Sequence, residues 1–412
     1  MSNKRPALSE VMAAVNSSKW PARWETIYDG VMDDYEKNGC IYASAEYYEA
    51  LNEKYGMFPD FLDDFKSAAS ELVKDDALCR FFALLCFAMR DRANISADLS
   101  ELEMPHSADG SYHIKYEMLT GLVSVSVADY TYSLLKARDL PREQIDYAMR
   151  LFEDMVRTYK DRNNGRAGAM SFSWYQLAVD AKLFKTTRLQ MELDGKFTTK
   201  ATVFENSEGK TLALAMGLAV DKLGYPLGAA GHTDEEGSFV ADIEETDDAY
   251  IGYAYGRYGR ISLEKTVLGK SEWKKLIEPG DKVVGVHIPP GGGMTDELIT
   301  LSFNETKEYL AKYYPDFDYK AFVCGSWLMD DQLVDLLGAD KNISRFCERF
   351  DKIGRKSSGR AVFSFVYLLH DVKNVDYSAL PERTTLERKL KNHYLEGKVI
   401  YENYGYIPKS RI

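Results

Sequence analysis

The chain has 412 residues, 45% of them hydrophobic and 28% charged, with a formal net charge of -12. That length holds two or three domains with cores of their own. The acidic balance excludes nucleic acid as the default partner, because binding to a phosphate backbone rests on a basic surface.

Residues 7–165 read almost wholly as helix, over 22–37, 43–55, 59–73, 77–92, 117–136 and 141–161. Pro21, Pro59 and Pro141 open three of these, where a missing amide hydrogen costs least. Leu78, Phe81, Phe82, Leu85, Cys86 and Met89 recur at helical spacing and form a core-facing stripe. Residues 117–135 are apolar nearly all round, which places them at the centre of a bundle. The stretch 96–111 is turn-like. Cys40, Cys79, Cys86, Cys324 and Cys347 have no paired spacing, which fits a reducing compartment and gives no zinc signature. The first residues lack an apolar signal core and no run is long enough to span a bilayer, so the expected location is cytoplasmic, without a membrane partner.

From Arg162 the texture changes. Arg162-Asn-Asn-Gly-Arg-Ala-Gly is a polar, glycine-containing joint, and it sets the expected boundary between a domain at 1–165 and one at 166–412. One more helix over 172–184 leads into strands at 189–193, 200–204 and 211–216, with a hairpin turn at 205–210. Tyrosines alternate with smaller residues over 251–264, as in one strand with a decorated face. The acidic stretch 234–248 reads as a solvated loop.

Residues 282–288 are a short apolar run rich in β-branched residues, hence a buried strand. Pro289 and Pro290 end it, and Gly291, Gly292 and Gly293 free the backbone to turn. Thr295 caps a helix whose first turn carries Asp296 and Glu297. Unpaired amides at a helix start, reached through a loop without side chains, make a seat for phosphate oxygens. Met294-Thr295 stand where a nucleotide triphosphatase needs Gly-Lys-Ser/Thr, and the dinucleotide fingerprint is missing. A coenzyme A pyrophosphate remains, beside a plain hinge between strand and helix. A second buried strand follows at 319–329, so that strand, helix and strand imply a crossover between parallel neighbours. A short helix over 330–337, strands at 342–353 and 361–368 and a helix over 385–394 complete an α+β chain of two domains: an all-helical bundle, then a mixed β-sheet flanked by helices.

Five phrases in one order carry a family resemblance: Thr187-Arg-Leu-Gln-Met-Glu, Val286-His-Ile-Pro-Pro-Gly-Gly-Gly-Met-Thr, Phe322-Val-Cys-Gly-Ser-Trp-Leu-Met-Asp, Lys341-Asn-Ile-Ser-Arg-Phe and Leu380-Pro-Glu-Arg-Thr-Thr-Leu-Glu-Arg. The chain resembles a bacterial acyltransferase-domain family that joins a helical N-acyltransferase N-terminal domain to a GNAT-like (N-acetyltransferase superfamily) C-terminal domain. The resemblance implies a cleft where two central parallel strands splay apart, with acetyl-CoA or another acyl-CoA in it. It maps the first splayed strand to residues 282–290, the pyrophosphate loop to 290–295 and the second strand to 319–329. The superfamily's loop begins with Gln or Arg; Pro289 and Pro290 stand there instead.

Acyl transfer to an amine needs a base, a donor to the carbonyl oxygen and a proton for the leaving thiolate. A free backbone amide near Val286 to Ile288 would serve the oxygen, and Gly291, Gly292, Gly293, Met294 and Thr295 the pyrophosphate. His287 is the base candidate, set against a His287 that turns to the other side of its strand and bonds a neighbour. Cys324 and Ser326 share a face and are candidates for nucleophile or proton donor, against an inert buried cysteine. Asn342 and Trp327 would wall or cap the acyl pocket, against a Trp327 that belongs to the core. Tyr253, Tyr255 and Tyr258 either line an acceptor groove or cover a helix. His232, beside acidic residues, has no partner ligands at recognisable spacing, so no metal is expected. The resulting expectation is an acyl-CoA dependent acyltransferase acting on a small-molecule or peptide amine. The rivals are a non-catalytic coenzyme A sensor and a scaffold for a protein partner.

Overall fold

The computed structural model describes residues 5–169, 172–369 and 371–412. The chain divides into two compact units, Met1–Phe184 and Lys185–Ile412. The division falls beyond the polar joint at 165/166 because the helix Phe172–Val179 belongs to the first core. Tyr175 and Val179 are fully buried there, and the Thr131 hydroxyl donates to the Val179 carbonyl at 2.8 Å.

The first unit is helical. Its helix Asp76–Arg90 is capped by Asp75, whose carboxylate accepts from the Leu78 amide at 3.1 Å. The stripe of Leu78, Phe81, Phe82, Leu85, Cys86 and Met89 is buried, as its spacing requires. The single helix expected over 117–136 is instead two, Leu119–Val125 and Ala128–Ala137. Its β-branched run weakens the helix, and the Ser126 hydroxyl donates to the Val123 carbonyl at 2.6 Å. The turn-like stretch at 96–111 carries part of another helix, Ile95–Glu101. Buried Asp98 anchors it, taking hydrogen bonds from the Arg23 guanidinium and, at 3.2 Å, from the Trp24 indole.

In the second unit a mixed sheet places Gln190–Lys196, Lys282–His287, Ala321–Ser326, Asn403–Pro408 and Asp351–Ile353 side by side in that order. Lys282–His287 and Ala321–Ser326 are parallel, and every other pair in this series is antiparallel. The helix Asp296–Tyr313 makes the crossover between the two parallel strands, as expected. It covers one face, where Phe303 meets Phe322 edge to face at 5.0 Å. The other face packs on a second, antiparallel sheet built on Trp273–Ile277, Ala201–Asn206, Thr211–Ala215 and Ala249–Tyr255. Val203, Ala213, Tyr255, Val283, Val323 and Tyr404 belong to the core between the sheets. Complete burial of a valine such as Val283 or Val203 stabilises by about 2 kcal/mol.

Four sequence expectations change. The strand expected over 251–264 is a hairpin, Ala249–Tyr255 and Ile261–Gly269, turned at Arg257–Gly259. Residues 342–353 form the helix Asn342–Glu348 and only a short strand, Asp351–Ile353. Phe346, Cys347 and Phe350 are all buried, and their spacing of one, three and four residues suits a helix. Residues 361–368 contain the helix Ala361–Phe365 rather than a strand. The acidic stretch 234–248 contributes two short strands, Phe239–Ala241 and Glu244–Glu245, because Phe239 packs on Tyr253 at 4.9 Å and Ala241 is buried. Among the described residues no helix is long and apolar enough to cross a membrane.

Candidate functional site

The two central parallel strands stay in register only at Val283 with Ala321, Val284 with Phe322 and Gly285 with Val323. Beyond those pairs each strand follows its outer neighbour. Val286 and His287 pair with Met191 and Gln190, while Cys324, Gly325 and Ser326 pair with Gly405, Tyr404 and Asn403. The strands therefore part between His287 and Gly325. A bulge helps them do so. Between Val283 and Gly285 the outer strand carries one extra residue, and Asp194 there adopts φ +58, which raises the local twist. Alternate residues of an antiparallel pair direct their amides away from the partner, so one of Val286 and His287 aims its N–H into the gap.

The glycine loop stands at the mouth of that gap. Gly291 and Gly292 adopt φ +91 and +50, a conformation that suits glycine alone at low cost. Among the described residues, no hydrogen bond engages the amides of Gly291, Gly292, Gly293, Met294 or Thr295. The Thr295 hydroxyl caps the following helix, accepting from the Leu298 amide at 3.4 Å. Asp296 is turned from the loop: its carboxylate takes Arg349 at 2.9 Å and Arg345 at 3.5 Å, both from the neighbourhood of Asn342–Glu348. Glu297 folds back instead. Its own amide and the Thr295 hydroxyl hold its carboxyl below the usual range.

A cation reaches this loop from elsewhere in the chain. Arg188 donates through Nη1 to the Pro289 carbonyl at 3.1 Å and through Nε to the Gly293 carbonyl at 3.2 Å. Its segment is tied to the helix by the Arg188 amide on Ser302 Oγ at 2.9 Å and by Thr187 on Glu305. The guanidinium that the loop sequence lacks at its start thus arrives from the opening of an outer strand. Exposed amides and a nearby guanidinium, with one carboxylate neutralised, fit a pyrophosphate; the Glu297 carboxylate opposes it.

The candidate chemical residues divide between the faces of the sheet. Val283 and Val323 face the second sheet, and alternation puts Gly285, His287 and Gly325 on that face. Phe322 faces the helix, so Cys324 and Ser326 lie on the opposite side from His287. His287 Nε2 is 2.8 Å from Glu192 Oε2, both side chains being partly exposed. Gly285 makes the pair fit, since a Cβ there would come within 2.9 Å of Glu192 Cβ. Over Gly325 lies Arg355, 3.2 Å from where a Cβ would stand, and Arg355 Nε donates to the Glu402 carbonyl at 2.9 Å. Cys324 is buried, and loss of solvent pushes its thiol up to about 12. Ser326 accepts from the Leu328 amide at 3.1 Å. Val286 is buried, whereas Asn342 lies exposed at the start of its helix, away from the strand position expected for it. Trp327 is buried in the turn after the second strand.

Tyr255 packs in the core between the sheets, whereas Tyr258 stands in the hairpin turn. His232 bonds Asp221 through Nδ1 at 2.6 Å and Tyr401 through Nε2 at 3.0 Å. Among the described residues no group of three His, Cys, Asp or Glu is placed to hold a metal. Arg188 and Glu192 were not singled out by sequence reasoning, although both sit in the phrase Thr187-Arg-Leu-Gln-Met-Glu. Charged residues at the start of a strand next to the cleft were the available signal.

Solved structures share this fold. An acyltransferase in complex with decanoyl-CoA and teicoplanin is 15% identical, with TM-score 0.60, over 97% of this chain and 98% of that one. An acyltransferase in complex with CoA and 10C-teicoplanin is 14% identical, with TM-score 0.61, over 97% and 98%. An acyltransferase in complex with decanoyl-CoA is 15% identical, with TM-score 0.57, over 88% of each chain. No curated protein matches. The family model described as "GNAT-like C-terminal domain" matches residues 183–407, the part of the chain that holds the parted strands and the glycine loop. The chain belongs to the GNAT-like C-terminal domain family.

Proposed function

We propose that this protein transfers an acyl group from acyl-coenzyme A to an amine. The observation that carries the reading is the parallel ladder that ends at Gly285 and Val323, with free loop amides and Arg188 at its open end. Crystal structures of the same fold hold CoA, decanoyl-CoA and octanoyl-CoA, which supports an acyl-CoA ligand here. Bound acyl-CoA supplies an activated acyl carbonyl.

The chain's own residues do the rest. The amides of Gly291 to Thr295, with Arg188 behind them, hold the pyrophosphate. A backbone N–H between Val286 and Ile288 donates to the acyl oxygen as negative charge builds on it. His287 takes the proton from the attacking amine, and Glu192 fixes the orientation of the imidazole. The amine attacks the acyl carbon directly, the C–S bond breaks and coenzyme A leaves as the thiolate, which takes its proton from solvent, so neither Cys324 nor Ser326 acts as a nucleophile in this reading. The acceptor is a small molecule or a peptide amine, in keeping with the teicoplanin held by neighbours of this fold. Cytoplasmic residence fits the five free cysteines.

Calorimetry with decanoyl-CoA and acetyl-CoA, followed by thiol release with a panel of amines, tests the proposal. Absence of heat with both thioesters removes it. A second reading, a protein that binds coenzyme A without turnover, draws on Glu297 at the loop. Heat with the thioesters and no thiol release from any amine would favour that reading.

A further inference from the structure

Beyond the end of the strand Ala321–Ser326 lies a pocket of about 340 Å³ that the transfer chemistry does not use. Tyr225, Tyr258, Arg260, Gln332, His393 and Lys398 line it. Two features mark it as built for a ligand.

Tyr258 is a bulky residue at φ +64 in the hairpin turn, where glycine would be relaxed. The conformation is imposed from both ends: its amide donates to Asp331 Oδ2 at 2.8 Å and its hydroxyl to Asp335 Oδ2 at 2.7 Å. The ring is held in place at the expense of backbone comfort. Across the pocket, the Arg260 guanidinium lies 5.2 Å above the Tyr225 ring and donates only to the Leu223 carbonyl, at 3.0 and 2.7 Å. Among the described residues it has no carboxylate partner, whereas the lining acid Asp335 is already taken by Arg257 and Tyr258.

The pocket adjoins the parted strands. Asn403, which pairs with Ser326, donates through Nδ2 to the Tyr258 carbonyl at 3.4 Å and to the Met329 carbonyl at 3.3 Å. One residue therefore separates the tyrosine wall from the end of the second strand.

We propose that this pocket binds a ring-bearing carboxylate, the part of the acceptor remote from its reacting amine. Tyr225 is already stacked between His232, at 3.9 Å, and Arg260, so the Tyr258 ring takes the ring of the ligand and Arg260 its carboxylate. The acceptor role rests on the transferase reading above; the ligand class rests on the pocket alone.

Titration of the full chain, followed by NMR line broadening, uses three probes: 4-hydroxyphenylacetate, tyramine and acetate. The expected result is at least tenfold tighter binding of 4-hydroxyphenylacetate than of either other probe. Arg260→Gln should remove that preference. Tyr258→Gly, which suits the positive φ and so keeps the turn folded, should weaken 4-hydroxyphenylacetate at least tenfold. Equal binding of acetate and 4-hydroxyphenylacetate, or unchanged affinity in both variants, overturns the proposal. A parallel titration with decanoyl-CoA keeps the two ideas apart. If the thioester binds and the aryl acid does not, this pocket assignment falls and the transferase reading stands. If the aryl acid binds and the thioester does not, the acceptor role falls.

Discussion

His287 and Glu192 meet at 2.8 Å across two antiparallel strands, in the space that Gly285 leaves open. In the proposed reaction the carboxylate positions the base. His287→Ala should lower kcat by about 10²- to 10⁴-fold, and Glu192→Gln by about tenfold or more. Both should leave the Kd for decanoyl-CoA unchanged, and Glu192→Asp should recover part of the loss. Steady-state thiol release beside calorimetry checks this. A Glu192→Gln variant whose thioester affinity falls with its rate would make the residue merely structural.

Arg188 holds the carbonyls of Pro289 and Gly293. A charge-assisted bond is worth about 1.5–3 kcal/mol, so Arg188→Gln should weaken coenzyme A binding by roughly ten- to a hundredfold. Glu297→Gln should act in the opposite sense, since it removes a negative charge beside the loop that would repel a pyrophosphate. Competition calorimetry with coenzyme A reads both. Equal and unaltered affinities in the two variants would place the pyrophosphate elsewhere.

Arg188 and Glu192 also mark where sequence reading stops. Strand, glycine corner and capped helix were legible over 282–314, because β-branched residues, paired prolines, three glycines and Thr295 each impose a local geometry. The partners of that unit were not. Arg188 and Glu192 lie about a hundred positions earlier; Glu192 reaches it through the register of Gln190–Lys196 with Lys282–His287, and Arg188 through its bonds to Ser302 and the loop carbonyls. Facing was equally hidden: Cys324 and His287 look like neighbours along the motifs, and the pleat sends them to opposite sides. Asn342 was misplaced for a different reason. A run of apolar residues suits strand and helix alike until Phe346, Cys347 and Phe350 find one core.

Cys324 should behave as a structural residue. With the thiol at about 12 and out of solvent, iodoacetamide at pH 8 should leave it unlabelled in the folded chain. Cys324→Ala should change kcat by less than about threefold while costing roughly 1 kcal/mol of stability. Peptide mapping and thermal denaturation give the two readings, and rapid labelling of Cys324 would contradict the burial.

Asp330 is fully buried and accepts from the amides of Gln332 and Tyr401 at 3.0 and 2.7 Å. Burial nonetheless pushes its carboxyl up to about 6. A carboxyl raised on folding binds its proton more tightly in the native state, so stability falls as pH climbs from about 4 to about 6 and is level above. The full effect is on the order of 3 kcal/mol. Asp330→Asn should abolish this component, so that the difference in Tm between wild type and variant changes across that window. Parallel Tm curves would remove Asp330 from the pH dependence.

The separation of His287 from Cys324 and Ser326 by the thickness of one sheet has a kinetic consequence. The base is reached from one side of the gap and the glycine corner opens from its end, so donor and acceptor need not exchange places. Both can be present at once, and no covalent way-station on the enzyme is required. Initial rates at varied concentrations of each reactant should then give intersecting double-reciprocal lines, the pattern of a ternary complex.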